Sequence, residues 1–164
     1  MTKTDKNLMD AFAGESQANR KYLAYAAQAD KEGFPQAARL FRAAAAAETI
    51  HSHAHLRNAG KVRDTLGNLR DALEGETHEY TSMYPQMIKE AQEEGNKAVA
   101  QYLQWVNKVE EVHAGLYKKA LDAGGRAENV DYYLCPVCGY THEGPLSGKC
   151  PVCGAPGASL KKTD

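Results

Sequence analysis

The chain has 164 residues, of which 43% are hydrophobic and 25% charged, and its formal net charge is −1. That size and composition fit one globular domain, or one domain plus a small module. The near-neutral charge gives no basis for a nucleic-acid or anionic-membrane partner, and no apolar run approaches the roughly 20 residues of a membrane span. The polar start, Met1 to Phe12, lacks the apolar stretch of a signal peptide. All four cysteines fall between 135 and 153 as two Cys-x-x-Cys pairs. Clustered pairs without an export signal read as a metal site rather than as disulfides, so the expected location is the cytoplasm.

A first helix is expected over residues 5–32, where Leu8, Phe12, Glu15, Asn19, Tyr22 and Ala26 recur at helical spacing. Gly33 ends it, and Pro35 opens a second helix that runs to about residue 59. Ala37, Phe41, Ala44, Glu48, His51 and His55 share the inner face of that second helix. The alanine run 43–47 favours helix and lets a neighbouring helix approach closely. A third helix begins near Asp64 or Thr65, with Leu66, Leu69, Leu73, Glu76, Tyr80, Met83 and Met87 inward, and Pro85 should kink it or loosen one turn. After Glu94-Gly95-Asn96, a fourth helix spans about 97–122, with Val99, Leu103, Val106, Glu110, His113, Tyr117 and Ala120 inward. The expected division is a four-helix bundle over 1–125, a linker over 126–131 and a separate module over 132–164.

The helices carry one repeated chemical pattern. Glu48-x-x-His51 and Glu110-x-x-His113 each place a carboxylate and an imidazole on one helix face. Glu15 and Glu76 lie on the stripes of the other two helices, and Glu79 follows Glu76 by one turn. A Glu from each of two helices, with Glu-x-x-His from each of the other two, is the ligand set of a dinuclear carboxylate bundle. Unpaired buried carboxylates are costly, and two cations would remove that cost. Carboxylate and imidazole suit iron or manganese, and zinc can occupy such a site. His53, His55 and His78 read as surface residues or as neighbours of the ligands, and Glu111 points about 100° away from Glu110. Tyr22 and Tyr84 are candidates either for aromatic packing or for hydrogen bonds to ligand carboxylates.

The C-terminal module contains Cys135-Pro-Val-Cys138-Gly and Cys150-Pro-Val-Cys153-Gly. Four thiolates at this spacing make a tetrahedral site for zinc or a single iron. A segment this short needs the metal in order to fold. Zinc would make it a structural ribbon, whereas iron would make it a one-electron carrier, the choice favoured beside a di-iron bundle.

Taken together, Gly14-Glu15-Ser16-Gln17, Glu48-x-x-His51, Gly75-Glu76-x-x-Glu79, Met83-Tyr84-Pro85, Glu110-x-x-His113 and the two cysteine knuckles resemble the rubrerythrin family over essentially the whole chain. The resemblance implies a mainly α fold: a ferritin-like di-iron four-helix bundle with a rubredoxin-like iron domain. It implies a peroxidase that reduces hydrogen peroxide to water, with electrons delivered by redox proteins from NAD(P)H. It further implies that Glu48 and Glu110 bridge the irons and that Glu15 and Glu76 are terminal ligands. His113 would be a fixed ligand, with His51 and Glu79 alternating on the other iron, and Cys135, Cys138, Cys150 and Cys153 would hold the third. The alternatives are ferritin-like iron oxidation and storage, which leaves the cysteine module superfluous, and a zinc-ribbon scaffold, which leaves the inward carboxylates unexplained.

The join between the second and third helices is short for this architecture. Those two helices run parallel in a ferritin-like bundle, so their connection would have to climb about 33 Å, at 1.5 Å per helical residue. The six residue steps across 59–64 reach at most about 20 Å. A domain-swapped homodimer is therefore expected, in which the first two helices of one chain complete a site with the last two of its partner. An earlier end to the second helix, which would lengthen the loop, is the other way out.

Overall fold

The computed structural model describes residues 2–126 and 128–163. Ala127, inside the expected linker, and Met1 and Asp164, at the outer ends of the two expected domains, lie outside the described residues. The chain divides into two compact units, one ending at Arg63 and the other beginning at Asp64.

The first unit is a hairpin of α1 (Lys3–Lys31) and α2 (Pro35–Asn58). Thr2 caps α1 reciprocally: Asp5 N donates to the Thr2 hydroxyl at 3.1 Å, and Thr2 N donates to the Asp5 carboxylate at 2.8 Å. Gly33, at φ +79°, supplies the left-handed residue of the turn, and Pro35 starts α2 where no N–H is needed. The residues buried between the helices are small: Ala26, Ala29, Ala38, Ala45 and Ser52. Small side chains let Asn19 Nδ2 reach across to the Ala45 carbonyl at 2.7 Å and the Thr49 hydroxyl at 2.8 Å. Tyr22, Tyr25 and Phe41 cluster farther along, and Arg42 pairs with Asp30 at 2.7 Å. Ala37 is exposed, contrary to the expected stripe, because the row that meets α1 passes through Ala38 and Ala45 instead. Leu40 and Ile50, on the open side of α2, are 68% and 67% exposed.

The second unit starts at α3 (Thr65–His78), capped by Asp64, whose carboxylate accepts from Gly67 N at 2.6 Å. A π-helical turn, Glu79–Met83, joins it to α4 (Tyr84–Glu93). Pro85 offers no N–H, and its ring would collide with the Thr81 carbonyl in an ordinary helix. The loosened turn therefore falls just before it, and Tyr84 N donates to the Glu79 carbonyl five residues back. The inserted residue rotates the helix beyond it. Tyr84, Ile88 and Ala91 turn inward, while Met87, expected on the inner stripe, is 40% exposed. Asn96 then caps α5 (Lys97–Asp122), which packs along α3 and α4. Val99, expected inward, is exposed in the first turn of α5, and Ala100 is buried in its place.

The cysteine module is a three-stranded antiparallel sheet, ordered β2 (Thr141–Glu143), β1 (Tyr132–Leu134), β3 (Lys161–Lys162). Its core is continuous with α5: Val109 is buried together with Cys135, Cys138, Cys150 and Leu160, with Trp105, Tyr133 and Tyr140 packed around them. Burying Val109 alone stabilises this junction by roughly 2 kcal/mol. Lys119 on α5 pairs with Glu143 on β2 at 2.6 Å, adding a second point of attachment. No described helix is both long and apolar enough to cross a membrane.

Candidate metal centres

In the first unit, one face of the hairpin gathers Glu15, Glu48 and His51, whose nearest ligand atoms all lie within 4.8 Å of one another. His51 Nδ1 stands 3.2 Å from Glu48 Oε2 and 3.8 Å from Glu15 Oε1. His55, expected on the inner face of α2 as a surface residue or a neighbour of the ligands, comes to 3.0 Å from Glu15 Oε2 through Nε2. The buried Glu15 Oε2 nevertheless has no hydrogen-bond partner. A buried carboxylate oxygen without a donor is what a cation would satisfy. His53 is exposed.

In the second unit, Glu76 from α3 and Glu110 and His113 from α5 converge in the same way. His113 Nδ1 lies 2.8 Å from Glu110 Oε2 and 3.7 Å from Glu76 Oε1. Burial, a hydrogen bond with Glu110 and repulsion from Glu110 and Glu79 push the Glu76 carboxyl up to about 7. Burial also raises Glu79, helped by the charge of Glu110. These carboxylates crowd and repel each other, which suits a multivalent cation. Glu79 opens the π turn beside this cluster and is not one of its three close members. Burial, then the charges of Glu110 and Glu79, raise the Tyr84 phenol, so this ring lies in the field of the same carboxylates. Tyr22 packs on Phe41 with ring centroids 6.2 Å apart. Glu111 and His78 are exposed.

The four cysteines are free thiols. Cys135 Sγ is 3.7 Å from Cys153 Sγ, and Cys138 Sγ is 3.6 Å from Cys150 Sγ. A disulfide would bring a pair to about 2.05 Å. Four sulfurs held about 2.3 Å from a tetrahedral ion sit about 3.8 Å apart, which matches the observed spacing. Burial opposes ionisation of Cys135, but the backbone N–H groups of Cys138 and Val137 and the neighbouring thiols outweigh it and bring this thiol down to about 7. Burial pushes Cys138 and Cys153 up, so the set needs a cation before all four can be thiolates.

One contact joins the two kinds of site. His113 Nε2, the ring nitrogen turned away from the carboxylates, lies 3.0 Å from Thr141 Oγ1 on β2. Both residues line a cavity of about 460 Å³ between α3, α5 and the module, shared with Glu76, Tyr117 and Tyr132. Nothing in the spacing of the sequence marks Thr141, because the contact depends on how the module docks.

A carboxylate–histidine set on long helices beside an all-thiolate module defines an iron oxidoreductase of the ferritin-like class with a rubredoxin-like site. The chain belongs to the rubrerythrin family: the family model described as Rubrerythrin matches residues 6–121, and that described as Rubrerythrin, rubredoxin-like domain, matches residues 133–160. Nigerythrin of Nitratidesulfovibrio vulgaris is 37% identical over 167 residues, covering 93% of this chain and 83% of the relative. Rubrerythrin of the same organism is 35% identical over 182 residues, covering 98% and 94%. The solved structure of partially reduced nigerythrin superposes with a TM-score of 0.60 at 34% identity, covering 99% of this chain and 88% of that one. The cofactors that fit these donor sets are two iron ions at the carboxylate–histidine site and one at the four cysteines.

Proposed function

We propose that this protein is a cytoplasmic peroxidase that reduces hydrogen peroxide to water at the carboxylate–histidine centre. Electrons would arrive one at a time through the four-cysteine module from an NAD(P)H-driven chain of redox proteins. The observation that carries this reading is the docking of the module on α5, the helix that bears Glu110 and His113. A storage protein has no use for a thiolate site built against its ligand helix.

When bound, the iron pair supplies the two electrons the peroxide bond requires, and the four-cysteine iron cycles by one. In our reading Glu48 and Glu110 would be shared by the two ions, Glu15 and Glu76 would each hold one, and His113 would be a fixed ligand. His51 and Glu79 would serve as alternatives, since a neutral imidazole suits the reduced state and an anionic carboxylate the oxidised one. The position of Glu79 at the π turn, outside the tight cluster, supports a mobile role. The half-buried Glu76 carboxyl, raised to about 7 by burial and by Glu110, would give up the proton it shares near neutral pH when a cation binds.

We further propose a homodimer in which Glu15, Glu48 and His51 of one chain meet Glu76, Glu79, Glu110 and His113 of its partner. Two facts support it. Each cluster is complete within one helix hairpin, and α2 keeps its full length to Asn58, leaving only residues 59–64 as the connection to α3.

An anaerobic titration of the fully reduced protein with hydrogen peroxide tests the activity. Three irons should yield about three electrons per chain, with the absorption of the ferric four-cysteine site returning. Oxidation confined to the bundle would remove the relay from the proposal, and no oxidation at all would overturn it.

A further inference from the structure

We propose that Thr141 is a positioning residue for His113, so that docking of the cysteine module sets the metal affinity of the carboxylate centre; this rests on the reading of His113 as a ligand. The two ring nitrogens of His113 face different partners. Nδ1 faces Glu110 Oε2 at 2.8 Å and Glu76 Oε1 at 3.7 Å, among the carboxylates that would share its cation. A nitrogen that donates its lone pair to a metal carries no proton, so the ring proton must sit on Nε2. The group in front of Nε2 must then accept a hydrogen bond.

Thr141 Oγ1, 3.0 Å away, is that group. A hydroxyl can also donate, which would favour the wrong tautomer. Its proton has an acceptor elsewhere: the Gly139 carbonyl lies 3.3 Å from Thr141 Oγ1, placed to receive it. The remaining lone pair therefore faces His113, and the chain of donors runs in one direction, from imidazole to hydroxyl to carbonyl. Gly139 is the last residue of the first cysteine knuckle. Its N–H donates to the Cys135 carbonyl at 3.0 Å, and its φ of +84° is held by that turn. The knuckle thus orients the carbonyl, the carbonyl orients the hydroxyl, and the hydroxyl fixes the imidazole. Val109, one turn before His113 on α5, is buried against the same knuckle and holds the spacing. Lys119 and Glu143 pin the far end of β2 at 2.6 Å.

Removing an outer hydrogen-bond partner of a metal-bound histidine typically lowers metal affinity by about 10–100-fold. The test is cobalt(II) binding at the carboxylate centre of the full-length protein, with the four-cysteine site already filled, measured by competition with a chelator. Thr141→Val keeps the shape and removes the acceptor, and it should weaken cobalt binding by at least about tenfold. Thr141→Ser should restore wild-type binding, and the absorption of the four-cysteine site should stay the same in all three proteins. In zinc-loaded protein, the His113 Nε2 proton should give a slowly exchanging NMR signal in wild type and Thr141→Ser, and should exchange rapidly in Thr141→Val. Wild-type affinity and wild-type exchange in Thr141→Val would overturn the proposal. His113→Ala separates the two ideas: if that variant also binds cobalt normally, His113 is not a ligand and the underlying reading falls instead.

Discussion

Tyr84 N donates to the carbonyl of Glu79, five residues back, and this one bond shifts the inward face of the rest of the helix by a residue. Deleting Ser82, within the π turn, should restore an ordinary helix. It would rotate Tyr84, Ile88 and Ala91 by about 100° relative to Glu76. We expect a folded protein, less stable by about 1–3 kcal/mol, that loses most iron from the carboxylate centre and keeps the four-cysteine site. Iron per chain, with absorption of the thiolate site as control, measures this. Full iron content would mean that the π turn is not needed for the site.

The swapped dimer predicts complementation. Chains carrying His51→Ala and chains carrying His113→Ala, unfolded together and refolded as a mixture, should form mixed dimers. Each mixed dimer would have one intact carboxylate centre and one doubly damaged one. Random mixing makes about half the dimers mixed, so about a quarter of wild-type peroxide turnover should return. If each chain builds its own site, every site has one lesion and mixing restores nothing.

Glu79→Ala should slow peroxide turnover by at least about tenfold while leaving three irons bound per chain. Stopped-flow oxidation and metal analysis on the same sample report both quantities. Loss of the iron pair would mean that Glu79 is a permanent ligand rather than an alternating one.

Much of this site was legible from helical spacing. Glu15, Glu48, Glu76 and Glu110 declared themselves as charges on apolar stripes, and Glu48-x-x-His51 and Glu110-x-x-His113 as pairs on one face. Met87 misled because a regular period cannot register an inserted residue, although Pro85 marked where the insertion would fall. Ala37 misled because two faces of an alanine-rich helix look alike until a neighbour chooses one. Spacing put His55 on the inner face but could not name Glu15 as its partner, and it gave no sign of Thr141 beside His113. Both contacts join separate elements, and local pattern carries no information about which side chains meet across such a gap.

The metal-free protein should depend on pH in an unusual direction. The Glu76 carboxyl sits at about 7 in the folded protein, against an ordinary 4.5. Between those values the folded state holds more protons than the unfolded chain, so stability falls as pH rises. The contribution is fully present below about 4.5 and is lost as pH passes through about 7. Urea midpoints of the metal-free protein should therefore be higher near pH 5 than near pH 8, and Glu76→Gln should flatten the difference. A midpoint that rises with pH in the wild type alone would contradict the shift.

Gly157 tests how tightly the cysteine module is built. A Cβ there would lie 2.5 Å from the Leu146 carbonyl oxygen and 3.0 Å from that of Gly148, both backbone atoms that cannot swing aside. Gly157 N also donates to the Gly148 carbonyl at 2.7 Å. Gly157→Ala should destabilise the module by about 2–4 kcal/mol and strip its metal at chelator concentrations the wild type resists. Loss of the thiolate absorption reports this directly, and wild-type resistance would show that the loop has room to move.

The alanines between α1 and α2 have a consequence for how the molecule lives in solution. Each of Ala26, Ala29, Ala38 and Ala45 hides little more than one methyl, worth roughly 0.8 kcal/mol apiece. A hairpin closed by such small side chains would draw much of its permanence from whatever it binds: iron on one face and, in the proposed dimer, a second chain. Dilution and chelation then behave as denaturants, and the melting temperature becomes a function of how much protein and how much iron surround it.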